Sequence, residues 1–413
     1  MATIDWLTRA QRISQRLERL AEITDEPGRL TRTLLSPAMT QATRLAGRWM
    51  EEAGLQISSD FIGNLIGQTP GASGKQVFLI GSHLDTVRDA GRFDGALGVV
   101  LGIELADIFR SGSDLPFSLW VAAFSDEEGV RFQTAYLGSR AFCGLLHQED
   151  LEVSNREGSL RALLAAGQSQ IDLPTGVVSG NQLLAYFEVH IEQGPVLEDR
   201  NLPVGVVTAI AGQSRFRFNW TGKAAHAGTT PIPLRRDALL GAARFALQVE
   251  NACTRFPGLV ATVGELNVSP NVSNVVPAQI THSLDVRHQD DFVRAAAVAW
   301  LGNEADHIAA ERKLSLERLT VQETASVACD QKLTGELAAA SKFVTGASLE
   351  LPSGAGHDAV ILSQLCPVAM LFVRSRDGLS HHPDEFVQLA DIETALRTVA
   401  KFIERLGRAE GGT

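Results

Sequence analysis

Cysteine is scarce in this chain, which limits what can hold it together. Of 413 residues only four are cysteines, Cys143, Cys253, Cys329 and Cys366, and no two stand at a CxxC spacing. That argues against a disulfide framework or a cysteine zinc site and predicts ordinary buried thiols in a reducing compartment. Long apolar runs are also missing. No run approaches the roughly 20 residues needed to span a bilayer. The opening MATIDWLTRAQRISQRLERL reads as an amphipathic helix, without the apolar centre of a signal peptide. The expected location is cytoplasmic, with no membrane partner. Positive charge is in deficit: the formal net charge is -11, which argues against nucleic-acid partners, because phosphate backbones recruit Lys and Arg patches. Internal repeats and low-complexity tracts are absent as well.

The rest of the composition is that of a globular protein, 45% hydrophobic and 21% charged, at a length that favours two domains. Residues 37–54 carry apolar positions at helical spacing and stop at Gly54. QVFLIGSHLD (76–85) is a short apolar run with a polar end, the pattern of a buried strand delivering side chains to its carboxyl edge. ALGVVLGIELADIF (96–109) predicts a helix packed on it, and PFSLWVAAFSDEEG (116–129) repeats the strand with an acidic end. The fold class expected from this alternation is α/β, a mostly parallel sheet flanked by helices. Ligands in such sheets bind at the carboxyl ends of strands. From about Ile210 the texture changes to strand–helix–strand–strand–helix–strand, which predicts an inserted α+β domain over 211–326. The main domain then comprises 1–210 and 327–413.

Several constellations carry chemistry. GSHLDTVRDAGRFDG (81–95) sets His83, Asp85 and Asp94 on a strand end and a Gly-rich loop. Imidazole and carboxylate hold Zn²⁺ or Mn²⁺, and a carboxylate can bridge two cations. Asp85, two residues from His83 on the same side of a strand, is placed to accept the other imidazole N–H. The plain alternative is a strand-end histidine with turn-forming aspartates. SDEEGVRF (125–132) adds Glu127 and Glu128, whose side chains diverge in extended chain, so one can bind metal while the other moves a proton. An isolated acidic triplet is more often a solvated loop, but here an apolar run leads straight into it. His190 in FEVHIEQGPVLE (187–198) taken alone is more often a core residue than a ligand. SHHPDEF (380–386) offers His381 and His382, between which spacing does not choose.

Together, GSHLDTVRDAGRFDG, SDEEGVRF, EVHIEQGPVLE, HAGTTPIPLRRDAL, PSGAGHDA and VRSRDGLSHHPDE resemble the amidase family of hydantoinases and carbamoylases, within the metal-dependent aminoacylase and carboxypeptidase group. The resemblance runs over nearly the whole chain with its blocks in order. It implies a catalytic domain with two divalent metal ions, Mn²⁺ or Zn²⁺, and makes the inserted domain a dimerisation or lid domain. Carried over residue by residue, His83, Asp94, Glu128, His190 and His381 are the implied ligands, with Asp94 bridging, and Glu127 is the implied general base. His382 stands where the family pattern has Asn. His226, in GKAAHAGTTP, is the implied stabiliser of the oxyanion, reaching the site across a homodimer. Asn274 and Arg287 are the implied holders of a substrate carboxylate, and Gln193 and His357 further substrate contacts.

The expected substrate is a small anionic ureido compound. Within the family, SDEEGVRFQ, YLGSRA and EVHIEQGPVLE are most similar to allantoate amidohydrolases, whereas VRSRDGLSH also resembles N-carbamoyl-L-amino acid amidohydrolases. Hydrolysis of allantoate to ureidoglycine, ammonia and CO₂ is therefore the leading expectation, and an N-carbamoyl-L-amino acid or β-ureidopropionate the alternative. An aminoacylase or dipeptidase is disfavoured by the long HIEQGP and SGAGHD blocks, and a non-catalytic relative by the full set of implied ligands.

Overall fold

The computed structural model describes residues 4–71, 74–110, 115–165 and 176–411. Helix α1 (Trp6–Ala21) begins where Asp5 accepts the Thr8 amide. Helix α2 (Pro37–Glu52) begins where Ser36 accepts that of Met39, with proline in its first turn. Strands β1 (Gln56–Ser59) and β2 (Leu65–Gln68) lead to β3 (Val77–His83), every residue of which is buried. Helix α3 (Ala96–Phe109) is buried at every position from Ala96 to Ala106, as an apolar helix enclosed by a core must be. Strands β4 (Ser118–Phe124), β5 (Leu183–Ile191) and β6 (Val204–Ile210) follow. The next stretch holds β7 (Gly212–Thr221), α4 (Ala238–Arg255), β8 (Val260–Thr262), β9 (Leu266–Ser269), β10 (Gln279–His288), α5 (Asp291–Glu311) and β11 (Ser315–Thr324). The chain closes with α6 (Gln331–Thr345), β12 (Val368–Val373) and α7 (Leu389–Gly411).

Two compact units result, one of Met1–Thr208, Cys329–Leu351 and Gly356–Thr413, the other of Ala209–Ala328 and Pro352–Ala355. In the first, the sheet runs β1-β2-β4-β3-β5-β12-β6. Its four central strands, β4, β3, β5 and β12, are mutually parallel, and the β1–β2, β2–β4 and β12–β6 pairings are antiparallel. The sheet is thus mixed, with the predicted parallel arrangement at its centre, where helices cover both faces. Phe187 lies 6.1 Å from Phe78 and 5.1 Å from Phe402 of α7, so aromatic packing ties the last helix to the middle strands. All four cysteines are free. No helix among the described residues is long and apolar enough to cross a membrane.

The second unit is an antiparallel sheet, β8-β10-β7-β11 with β9 also on β10, and two helices. Residues 259–268 read as one strand in the sequence but form two. Thr262 pairs with Asp285 and Leu266 with His282, so the register slips by one residue, and the Ser283 hydroxyl accepts the amides of Gly264 and Glu265 at the slip.

The core of this unit contains a histidine. His282 accepts the Trp220 indole N–H at Nε2 (2.9 Å), Nδ1 meets the Ser283 carbonyl (3.1 Å), and the ring stacks on Phe218 at 5.0 Å. Burial lowers its pKa, because the charged ring would lose the Trp220 bond and sit in an apolar core. The folded pKa lies below the unfolded value of about 6.5. The contribution to stability is therefore complete above about pH 6.5 and is lost as pH falls below that value toward the folded pKa. Thermal melts between pH 8 and pH 5.5 are expected to show a steeper fall for the parent than for His282→Phe; parallel curves would remove this titration.

Candidate metal centre

Parallel strands present their carboxyl ends along one edge, and register determines which residues meet there. His83, the last residue of β3, lies opposite Phe124, the last of β4, and His190 on β5 lies opposite Phe372 on β12. Glu127 and Glu128 therefore leave the chain just past β4, and the segment with Ser380 and His381 follows β12. The loop carrying Asp94 closes over His83. That approach requires glycine next in sequence, since Gly95 has φ 64° and a Cβ there would stand 2.5 Å from the His83 ring.

Five predicted side chains come together. Asp94 Oδ1 lies 3.5 Å from His83 Nε2 and 3.0 Å from His190 Nε2. Its Oδ2 lies 3.4 Å from His381 Nε2, which is 3.5 Å from Glu128 Oε1. Ligand atoms of His83, Asp94 and His190 lie within 4.8 Å of one another, and so do those of Asp94, Glu128 and His381. Glu127 groups with His83 and Glu128 in the same way, so its carboxyl faces the same space. Nδ1 of His83 bonds the Asp85 carbonyl (3.0 Å) and Nδ1 of His190 the Ile191 carbonyl (2.9 Å). With those N–H groups donated to carbonyls, each Nε2 lone pair is left for the centre. His382 turns away, its Nδ1 accepting the Asp384 amide.

Three residues make contacts that the sequence reading did not specify. The Asp85 carboxylate, although 3.4 Å from His83 Nδ1, accepts the backbone amides of Glu127 and Glu128 (3.0 and 3.1 Å) and so shapes the turn that aims both. The ring is oriented by the Asp85 carbonyl instead, because a two-residue hop along the strand end brings the backbone closer than the side chain. Gln193, read as a substrate contact, donates through Nε2 to Asp94 Oδ2 and to Ser380 Oγ (both 3.0 Å). His357, read likewise, is buried with its ring 4.5 Å from that of His190 and 5.9 Å from that of Phe372.

The remaining predicted residues belong to the second unit. His226 is exposed, and its Nδ1 accepts the Gly228 amide, which leaves the proton of the neutral ring on Nε2 as a donor. Asn274 is exposed and its carbonyl accepts the Ala227 amide, so it lies beside His226. Arg287 donates from Nε and Nη2 to Asp285 and from Nη1 to the Gly354 carbonyl, which uses three of its five N–H groups.

Three further residues were not found from the sequence. Ser380 donates to Asp94 Oδ2 at 2.8 Å. Glu385 accepts the amides of Phe93 and Asp94 at 2.8 and 3.0 Å. Glu188, buried on β5, accepts from the Ser82 and Tyr186 hydroxyls and the Ala359 amide. A signal was present for each: Ser380 and Glu385 flank the histidine pair, and Glu188 shares a strand face with His190 by its spacing of two.

Electrostatics separate the carboxyls. Burial alone would raise Asp94, but the imidazoles, led by His190, hold it well below the usual carboxylate range. Burial pushes Glu127 well above that range; His83 opposes this, while Glu128, Asp358 and Asp85 add to it. Burial, followed by repulsion from Asp94, pushes Glu128 up to about 7. A carboxylate with one oxygen toward each of two histidine-bearing sets has the donor arrangement that a pair of hard-to-borderline cations requires, so the residues fit a dinuclear centre.

Comparison with known proteins agrees with this geometry. Residues 79–405 match the model of peptidase family M20/M25/M40. The chain is 39% identical to allantoate deiminase 2 of Glycine max, over 95% of this chain and 88% of that protein. It is also 39% identical to an N-carbamoyl-L-amino acid amidohydrolase of Geobacillus stearothermophilus, over 98% of this chain and all of that one (100%). A solved hydantoinase/carbamoylase family amidase from Burkholderia multivorans superposes with a TM-score of 0.89 at 33% identity, covering 96% of this chain and 97% of that one. The family resemblance carried by the sequence motifs is borne out: the chain belongs to the M20/M25/M40 peptidase family and is a hydrolase of that family.

Proposed function

We propose that this protein hydrolyses the ureido C–N bond of a small carboxylate, with allantoate as substrate and ureidoglycine, ammonia and CO₂ as products. The observation that carries the reading is Asp94, whose two oxygens face His83 and His190 on one side and His381 on the other. His83, Asp94 and His190 would hold one divalent cation, and Asp94, Glu128 and His381 a second, Mn²⁺ or Zn²⁺. Two such cations supply an activated water and a polarised carbonyl.

The chain's own residues do the rest. Glu127 takes the proton of the attacking water and returns it to the leaving nitrogen, a task suited to a carboxyl whose pKa lies above the ordinary range. His226 donates from Nε2 to the developing oxyanion. Arg287, with two N–H groups in reserve, and Asn274 hold the substrate carboxylate. The active form is a homodimer in which His226 of the partner subunit completes each site. Exposed Val260, Leu266, Leu319 and Val321 in the second unit's sheet support an association there.

An N-carbamoyl-L-amino acid is the second reading, favoured by the equal 39% identity to the Geobacillus stearothermophilus enzyme. Ammonia release from allantoate, N-carbamoyl-L-amino acids and β-ureidopropionate, each with added Mn²⁺, separates the two. The expected result is the highest kcat/KM on allantoate. A preference for a carbamoyl amino acid would replace that substrate, and no turnover of any ureido acid would remove the reading.

A further inference from the structure

Glu385 joins two loops that lie 292 residues apart in the chain. It is 3% exposed, and Oε1 accepts both the Phe93 and the Asp94 amides. Its own amide donates to the His382 carbonyl (3.0 Å), which closes the turn just after His381. Around this link the ring of Phe386 meets that of Phe93 edge-on at 6.2 Å, and the Arg376 guanidinium stacks on Phe386 at 4.8 Å. Gly91 makes room for the carboxylate: a Cβ there would lie 2.3 Å from Cβ and Cδ of Glu385.

We infer that Glu385 is a positioning residue for the bridging carboxylate: by gripping the backbone of Asp94 while sharing a turn with His381, it holds the two at the separation the second metal requires. This rests on the dinuclear reading above. Two further bonds fix the Asp94 side chain, from Gln193 and Ser380 to Oδ2. Neither constrains the backbone, and a carboxylate on a Gly-flanked loop keeps its place only if the main chain is held. The acceptor sits on the loop of His381, so a shift of either loop changes the distance between two ligands of one cation. Partners that orient metal ligands in this way commonly account for 10- to 100-fold in metal affinity.

Mn²⁺ titration of the full-length apo-protein, followed by calorimetry and by the spin-coupled EPR signal of a Mn²⁺ pair, tests the inference. Glu385→Ala is expected to weaken the second Mn²⁺ by roughly 10- to 100-fold and abolish the coupled signal, with the first site much less affected. Glu385→Gln keeps an acceptor oxygen and is expected to stay within roughly fivefold of the parent, the cost of a neutral for a charged acceptor. Gly91→Ala displaces the carboxylate without deleting it and should reproduce the loss; it decides the matter should Glu385→Ala fail to fold. Parent-like binding of both Mn²⁺ ions in Glu385→Ala and Gly91→Ala would overturn the role. A parent protein that binds no Mn²⁺ pair would instead overturn the dinuclear reading itself.

Discussion

Glu127→Gln is expected to lower kcat by roughly 10²- to 10⁴-fold while leaving two metal ions per chain. The amide has the shape of the carboxyl but cannot accept the proton of the attacking water, so the loss should fall on kcat and leave KM little changed. The backbone of the turn would be undisturbed, because Asp85 holds the amides of Glu127 and Glu128 and not their side chains. Turnover and elemental analysis of the same preparation check both halves. Retained turnover would remove Glu127 as the base. A fall in metal content would reassign it as a ligand, which its grouping with His83 and Glu128 permits.

Asp94→Asn should be equally severe for a different reason. Asp94 is shared by two of the candidate groups, His83–Asp94–His190 and Asp94–Glu128–His381. An amide offers one oxygen and no charge, so it cannot serve two cations, and the three surrounding imidazoles lose the anion that faces them. The expected result is one metal ion or none per chain, and turnover lower by roughly 10³-fold or more, in line with the several kcal/mol that paired cations supply to the transition state. Elemental analysis after dialysis against Mn²⁺, together with circular dichroism to show the fold retained, measures this. Two tightly held ions in the variant would exclude Asp94 as a bridge.

Element type was legible wherever burial was strong and local. The run 96–109 reads as a helix and is one over those same residues, because an apolar segment of that length with glycine before it has few alternatives in a core. The run 76–85 reads as a buried strand and supplies Val77–His83. The single strand read over 259–268 was less accessible, because the slip that splits it depends on Ser283, a cross-strand partner some twenty residues away. At the site, residue types that stand out in sequence, histidines and paired carboxylates at strand ends, could be named. Roles played through the backbone could not. Asp85 stands out beside His83 and Glu385 flanks the histidine pair, but both carboxylates accept main-chain amides, and no side-chain pattern announces such a bond.

The sequence by itself determined the α/β class, the segments that carry chemistry and the family, because these follow from apolar periodicity and from long ordered motifs. Only the tertiary structure decided that His83, Asp94, Glu128, His190 and His381 share one space and that Gln193 bonds Asp94; it also turns toward Asp94 the histidine that the resemblance implied and spacing alone did not choose, His381. Those outcomes depend on which strands lie side by side and in what register. Register is settled by packing across the whole sheet, which a single chain read in order does not display.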